Sequence, residues 1–351
     1  MIVKKNLSIG AILSITGIHI IWLTLWCTLV IAIYHFTHWN WLAIPWLPIS
    51  VIGTAVAFYV GFKNNSSYDR LWEARKIWGG IVNTSRSWGT MAKNFTSNKY
   101  NNTTFTQKEI DSKVQRLVYY HIAWLYGLRY QLLQSTSWEH INQKMKKKYI
   151  KRRMEKYGVG QYADEITSEE FELLLTGKEE IAKIRAFKNP ATQLIDIQSK
   201  HLQELFEEGL INDFRHVELQ KLLTEFYTLQ GKCERIKKFP LPRQYANASK
   251  IFVGIFIFLL PFGLIGAFES LSESINLSHT EWLAIPFGVI IGWIYLFMEL
   301  IGDYSENPFE GLSNDIPMLS LCRTIEIDLR EMLGETDLPE PIKPINDTIL
   351  L

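Results

Sequence analysis

The sequence predicts an all-α, polytopic membrane protein with four membrane-spanning helices and a large helical cytosolic region. Two observations predict this class. Apolar residues concentrate near the two ends of the 351-residue chain, whereas most Lys, Arg, Asp and Glu residues lie between Lys63 and Lys250. No stretch of useful length alternates apolar and polar residues with the period of two that a half-buried strand requires. We therefore expect two pairs of membrane helices separated by a helical region.

Four apolar segments are long enough to cross the roughly 30 Å hydrocarbon core of a bilayer. Leu7–Tyr34 and Trp41–Phe62 are joined by a short polar turn, and Ile251–Phe268 and Trp282–Met298 are joined by a longer loop. His19 is the only side chain within these segments that titrates near neutral pH. The four segments are predicted to form two transmembrane hairpins.

Basic residues flank these segments on one side. Lys4 and Lys5 precede the first and Lys63 follows the second, whereas the loop Glu269–Glu281 contains no Lys or Arg. The positive-inside rule then places both termini and the central region in the cytoplasm of a multi-pass protein of the cell (inner) membrane. The predicted domains are an N-terminal transmembrane hairpin (1–62), a cytosolic helical region (63–250), a second transmembrane hairpin (251–303) and a cytosolic C-terminal segment with an extended tail (304–351).

The cytosolic region is predicted to contain several amphipathic helices. Leu117–Leu133 is apolar and aromatic but contains His121 and Arg129, so we interpret it as part of a buried cytosolic helix. The predicted helices are Ser66–Lys93, Gln107–Ser135, Thr192–Glu208 and Phe214–Lys238. A basic cluster has two interpretations, contact with anionic membrane lipids or a solvated helix face; it consists of Lys144, Lys146, Lys147, Lys148, Lys151, Arg152, Arg153 and Lys156.

Several function classes lack support in the sequence. The formal net charge of +1 gives no reason to expect nucleic-acid binding, and the three cysteines form no CxxC pair. No HExxH, GxSxG, P-loop or GxGxxG motif is present, so we predict no enzyme, no catalytic residue and no cofactor. The eight histidines are scattered along the chain, and we predict no metal site.

The second apolar segment has two adjacent stripes when drawn as a helix. Small residues Gly53, Ala57 and Gly61 form a stripe on which a neighbouring helix could pack closely. A second stripe, Thr54, Phe58 and Phe62, lies one residue around the helix. In a symmetric ring of subunits, the second stripe would face the axis and form a hydrophobic constriction. The alternative, which the pattern alone favours, is that the two Phe side chains pack inside a monomeric four-helix bundle.

Motifs along nearly the whole chain resemble those of the bacterial branch of the bestrophins. They occur in the same order and in a specific combination. They are Pro48–Ser50, Gly61–Asn64, Ser67–Gly79, Gly209–Ile211, Gln230–Ile236, Pro240–Pro242, Leu260–Gly263 and Glu306–Glu310.

This resemblance implies a homopentamer with one axial pore through which small monovalent ions pass. Thr54, Phe58 and Phe62 match the three neck positions of the family. A second constriction at the cytosolic exit matches Phe214, next to Asp213, with Ile211 and Val217 as alternatives. A large aliphatic residue is common at the position of Thr54, so the outermost ring here is expected to be less hydrophobic.

The resemblance leaves the sign of the permeating ion open. Vertebrate and plant bestrophins resemble anion channels, whereas a bacterial-type member is expected to favour small monovalent cations. The outer-loop residues Glu269, Glu273 and Glu281, together with Asp213, favour cations if repeated around a ring. A chloride channel is the alternative, and a secondary transporter or a non-conducting membrane scaffold is the alternative from another class.

Calcium activation is not expected from the sequence. Vertebrate bestrophins bind calcium through an acidic run that follows Asn-Pro-Phe. The corresponding residues 310–315 of this chain keep only Asn314 and Asp315 near the end of that run. Calcium prefers six or more oxygen ligands, several of them charged.

Overall fold

The computed structural model describes residues 1–6, 9–100, 105–143, 147–157, 182–184, 186–275 and 279–351. Within these residues the secondary structure is helical, with two isolated β-bridges, Ile2 to Ile349 and Ile345 to Ile349. The α-helices are α1 (Ile9–Thr37), α2 (Trp46–Phe95), α3 (Gln107–Leu133), α4 (Lys147–Tyr157), α5 (Pro190–Glu207), α6 (Asp213–Lys238), α7 (Arg243–Ile275), α8 (Ala284–Ser305) and α9 (Met318–Leu333).

The chain divides into two compact units. The membrane unit comprises Lys5–Asp69 and Leu241–Glu306, and the helical unit comprises Met1–Lys4, Arg70–Pro240 and Asn307–Leu351. Four helical segments are long and apolar enough to cross a membrane. They are Thr16–Thr37, Asn40–Phe95, Arg243–Leu271 and Thr280–Ser305. The predicted all-α membrane protein with four spanning helices is therefore confirmed.

Close packing of α1, α2, α7 and α8 forms the core of the membrane unit. Small residues on α8 allow a close approach to α1: a Cβ atom added to Gly288 would lie 2.9 Å from the Cys27 Sγ, and one added to Gly292 would lie 2.9 Å from a Leu23 methyl group. Such close approach of helices is how membrane bundles gain van der Waals contact without a hydrophobic driving force between them.

Aromatic side chains dominate the core of the helical unit. Trp88, Trp124 and Phe226 are fully buried around His121. The ring of His121 forms a 2.9 Å hydrogen bond with the Ser85 hydroxyl. As expected, His121 lies in a buried helix, here α3, which packs against α5 and α9.

Two features of the helices differ from the sequence prediction. The second spanning helix does not end at Phe62, because no Pro or Gly interrupts residues 62–78 and α2 continues without a break to Phe95. Helix α9 (Met318–Leu333) was not predicted, and it ends at Gly334, whose φ of 83° terminates it in the left-handed conformation. The chain beyond Gly334 contains Pro339, Pro341 and Pro344, which disfavour a helix, and it forms no helix.

Part of the predicted basic cluster lies outside the described residues. This applies to Lys144 and Lys146, and to the side chains of Lys147, Arg153 and Lys156. The side chain of Glu273 and the first residue of the predicted first span, Leu7, also lie outside them. Lys151 is described, and its ammonium group lies 3.8 Å from the Glu155 carboxylate on α4.

Two buried histidines have lowered pKa values, and we therefore predict that the helical unit loses stability in mild acid. Burial lowers the pKa of His121 to about 3, and burial together with nearby Arg116 lowers the pKa of His201 to about 4. The unfolded chain binds these protons near pH 6.5, so the stabilising contribution is complete above that pH and is lost as the pH falls. Each histidine should cost about 1.4 kcal/mol per pH unit within its window.

The histidine prediction is testable by thermal unfolding at pH 7 and pH 5. His201 contacts the Tyr120 ring edge-on at 4.8 Å, so His201→Phe retains an aromatic contact while removing the titration. We expect a smaller acid-induced fall in Tm for His201→Phe than for the wild type. His216→Phe, at a half-buried site stacked on Phe206, is the matched control. An equal fall in the wild type and His201→Phe would contradict the assignment.

Candidate functional site

Helix α2 has one face that anchors it within the membrane unit. Gly53, Val56 and Val60 are buried on this face. The Phe256 ring of α7 lies so close that a Cβ atom added to Gly53 would be 2.7 Å from it. The Tyr295 hydroxyl of α8 donates a 3.0 Å hydrogen bond to the Gly53 carbonyl. These contacts fix the rotation of α2 about its own axis.

The proposed neck residues lie on the opposite, exposed face of α2. Phe58 is 67% exposed and Phe62 is 72% exposed. Thr54 is also exposed, and its hydroxyl donates a 2.9 Å hydrogen bond to the Ser50 carbonyl within the helix. The alternative that both Phe side chains pack inside the four-helix bundle of one subunit is therefore wrong. Their hydrophobic surface is available to a partner outside the subunit.

The predicted stripe of small residues does not form one packing surface within the subunit. Gly53 is buried, Ala57 is half-buried and Gly61 is exposed, and among the described residues none lies within 4 Å of a Cβ atom added to Gly61, beyond its own helix backbone. Residues four apart on an α-helix rotate by about 40° per step, so the stripe turns away from α7 along the helix. Gly53 packs against α7, and the burial of the stripe decreases from Gly53 through Ala57 to Gly61.

The two residues assigned to the cytosolic exit begin helix α6 in the helical unit. Phe214 is 81% exposed, and Asp213 is also exposed. Of the two alternatives for the exit ring, Ile211 is 1% exposed and belongs to the core of the unit, whereas Val217 is 45% exposed. Burial therefore excludes Ile211, and Phe214 offers the largest exposed apolar surface of these residues.

A buried ion pair lies within the membrane unit, although Lys63 was expected to be only a flanking cytosolic charge. Lys63 is 3% exposed, and its ammonium group donates to the Glu299 carboxylate. The Ser249 hydroxyl donates to the same carboxylate. Two further pairs join α7 to the end of α8: Lys250 with Asp303 at 2.7 Å and Arg243 with Glu306 at 2.9 Å. Glu299 on α8 therefore binds a basic residue of α2, whereas Asp303 and Glu306, near and just beyond the end of α8, bind basic residues of α7.

The structure brings together a group of potential metal ligands, although no metal site was predicted from the sequence. His35, His279 and Glu281 offer ligand atoms that all lie within 4.8 Å of one another. Two of these residues are more than 240 positions from the third in the sequence. Spacing along the chain gave no signal for this group, because it forms only when the end of α1 meets the segment before α8.

Residues 310–315, which correspond to the vertebrate calcium-binding run, form hydrogen bonds with one another. One oxygen of the buried Asp315 carboxylate accepts the backbone N–H groups of Glu310, Gly311 and Leu312 at 2.7–3.0 Å. Glu310 in turn lies 2.8 Å from the His140 ring. Burial, with the nearby Glu310 carboxylate, raises the pKa of Asp315 to about 7. The expectation of no calcium activation stays a prediction.

Relatives of this chain cover most of its length. It is 25% identical over 297 residues to the voltage-dependent anion channel-forming protein YneE of Escherichia coli (strain K12). These residues make up 85% of this chain and 80% of that protein. It is 26% identical over 316 residues to the voltage-dependent anion channel-forming protein RSc3414 of Ralstonia nicotianae, which covers 90% of this chain and 86% of that protein.

Solved structures and a family model point to the same group. The structure of a bacterial bestrophin homologue from Klebsiella pneumoniae superposes with a TM-score of 0.70 at 22% identity, which covers 90% of this chain and 97% of that one. The structure of a mutant of the Klebsiella homologue superposes with a TM-score of 0.70 at 23% identity. This superposition covers 93% of this chain and 99% of the mutant chain. The family model described as Bacterial/Fungal Bestrophin protein matches residues 7–331. The chain therefore belongs to the bacterial and fungal bestrophin family.

Proposed function

We propose that this protein is an ion channel of the inner membrane, with both termini cytoplasmic, in which five copies surround one axial pore. The exposed apolar face of α2 carries this proposal. Phe58 and Phe62 project from a helix whose rotation is fixed by contacts on its other face. A ring of such helices would form a hydrophobic neck at Thr54, Phe58 and Phe62. Phe214 would form a second constriction at the cytosolic exit.

The acidic groups near the proposed pore favour small monovalent cations. Asp213 is the strongest support for cation selectivity. It is exposed and adjacent to Phe214, so each subunit would add one carboxylate near the exit. The outer-loop carboxylates contribute less, because Glu281 lies 3.0 Å from the His35 ring and Glu269 accepts a hydrogen bond from the Tyr34 hydroxyl. An anion channel is the second candidate, which the names of the relatives in Escherichia coli and Ralstonia favour.

The reversal potential of the purified protein in a planar bilayer, under a KCl gradient, separates these candidates. A value near the potassium equilibrium potential would support the cation channel. A value near the chloride equilibrium potential would replace it with the anion channel. No current from intact pentamers would contradict the channel proposal itself.

The charge of Asp213 should set part of the selectivity. Asp213→Asn should move the reversal potential toward the chloride value, and Asp213→Lys should move it further, because a ring of carboxylates is first neutralised and then inverted. Glu331→Gln, at an exposed position on α9, is the control for a general change in surface charge. Equal reversal potentials for wild type and both Asp213 variants would remove Asp213 from the pathway.

Assembly should depend on the part of the small-residue stripe that has no partner in the subunit. A Cβ atom added to Gly61 meets none of the described residues within 4 Å beyond its own helix backbone, so the effect of Gly61→Leu should arise at contacts between subunits. We expect Gly61→Leu, and Ala57→Leu to a lesser degree, to reduce the pentamer fraction in size-exclusion chromatography with light scattering. Gly254→Leu, at another membrane-unit site with nothing within 4 Å, is the matched control. An unchanged pentamer fraction in Gly61→Leu would contradict this role.

A further inference from the structure

Three potential metal ligands converge at one end of the membrane unit. His35 lies in the last turn of α1, while His279 and Glu281 belong to the short segment that leads into α8. The His35 Nδ1 atom is 3.0 Å from the Glu281 Oε1 atom, and the His279 Nδ1 atom is 3.5 Å from the same oxygen. The two imidazole centroids are 5.4 Å apart.

We propose that His35, His279 and Glu281 form a binding site for a zinc ion. Zinc is held by imidazole nitrogens and carboxylate oxygens at about 2.0–2.2 Å in tetrahedral geometry, which separates neighbouring ligand atoms by about 3.3 Å. The two separations in the structure, 3.0 and 3.5 Å, lie within about 0.3 Å of that value. Two histidines and one carboxylate leave a fourth position for water or for another ligand.

His279 has a backbone conformation that is energetically unfavourable for a residue with a side chain. His279 has φ 66° and ψ 30°, a left-handed conformation that non-glycine residues adopt infrequently. Thr280 next to it donates a 2.7 Å hydrogen bond from its hydroxyl to the Phe268 carbonyl, which ties the segment to α7. An ion pair between His35 and Glu281 needs only one imidazole. A metal ion accounts for the second imidazole held beside the same carboxylate.

The electrostatic environment also suits a divalent cation. The carboxylate supplies one negative charge, and the loop Glu269–Glu281 contains no Lys or Arg that would repel a metal ion. The ligand His35 lies at the C-terminus of a 29-residue helix, the end at which the helix dipole favours positive charge. The Glu281 side chain is 15% exposed, that of His35 is 27% exposed and that of His279 is 68% exposed, so the carboxylate is partly desolvated while the site is open to ions from solution.

Zinc binding can be measured directly on the full-length protein in detergent, without a polyhistidine tag, by competition with a chromophoric chelator. We expect the wild type to bind one zinc ion per subunit at this site. His35→Gln and His279→Asn should each weaken that binding by more than about tenfold, since loss of even an outer-shell partner typically costs that much. Asparagine tolerates the left-handed conformation, so His279→Asn removes the imidazole while keeping the backbone.

The matched control is His38→Asn. His38 is exposed, has φ 55° like His279, and lies outside the ligand group. Three results together would support the site. His38→Asn should retain zinc binding, both ligand variants should lose it, and the Tm of all three variants without zinc should be unchanged. A wild type that does not bind zinc, or equal binding by wild type and either ligand variant, would overturn it. This test needs no ion current and is therefore independent of the proposed channel function.

Discussion

The Phe58→Ala, Phe62→Ala double variant should conduct several times more current per channel than the wild type. In the proposed pentamer these side chains form two rings, and truncating them widens the neck and lets it stay wet. Both side chains are more than two-thirds exposed, so the substitution leaves no cavity in the subunit core. The unitary conductance in planar bilayers measures the effect.

A control must remove similar hydrophobic surface from another membrane helix. Leu25 on α1 is 66% exposed, and Leu25→Ala should leave the unitary conductance unchanged. If the double Phe variant forms intact pentamers that conduct like the wild type, the neck lies elsewhere.

Breaking the buried Lys63–Glu299 pair of the membrane unit should strongly destabilise the protein. Lys63→Met removes the cation beside Glu299, whose side chain is 7% exposed, and leaves a buried carboxylate without its partner. Loss of one member of a buried pair typically costs about 3–5 kcal/mol. We expect a large fall in the Tm of the detergent-solubilised protein.

Two further variants isolate the effect of the unpaired charge. Lys63→Met with Glu299→Met should recover most of the lost stability, because it leaves neither charge buried alone. Lys221→Met breaks a pair with Glu218 in which both side chains are more than half exposed, and it should cost less than about 1 kcal/mol. A double variant as unstable as Lys63→Met alone would show that the two charges are not coupled.

The fold was largely predictable because membrane helices are encoded locally. An apolar run such as Ile251–Phe268 must satisfy its backbone hydrogen bonds within itself, so its composition alone determines that it is a helix. The same holds for amphipathic helices such as Gln107–Leu133, where a capping box between Thr106 and Glu109 marks the start. Phe58 and Phe62 could be assigned to one stripe for the same reason, since helical periodicity is a local property.

Properties that depend on tertiary contacts were not predictable. Which stripe of α2 faces inward is decided by Phe256 and Tyr295, which come from helices more than 200 residues away in the sequence. The burial of Lys63 likewise depends on Glu299, and periodicity carries no information about that distant residue. The convergence of His35 with His279 has the same origin, so both were missed.

Cysteine accessibility during current recording tests whether the exposed face of α2 lines the ion pathway. Cys27, Cys233 and Cys322 are free and buried, so the native background should react little with a charged, water-soluble thiol reagent. We expect the reagent to change irreversibly the current through Phe58→Cys and Phe62→Cys channels and to leave the wild type and Leu25→Cys unaffected. Unchanged currents in both Phe variants, with a response in Leu25→Cys, would contradict it.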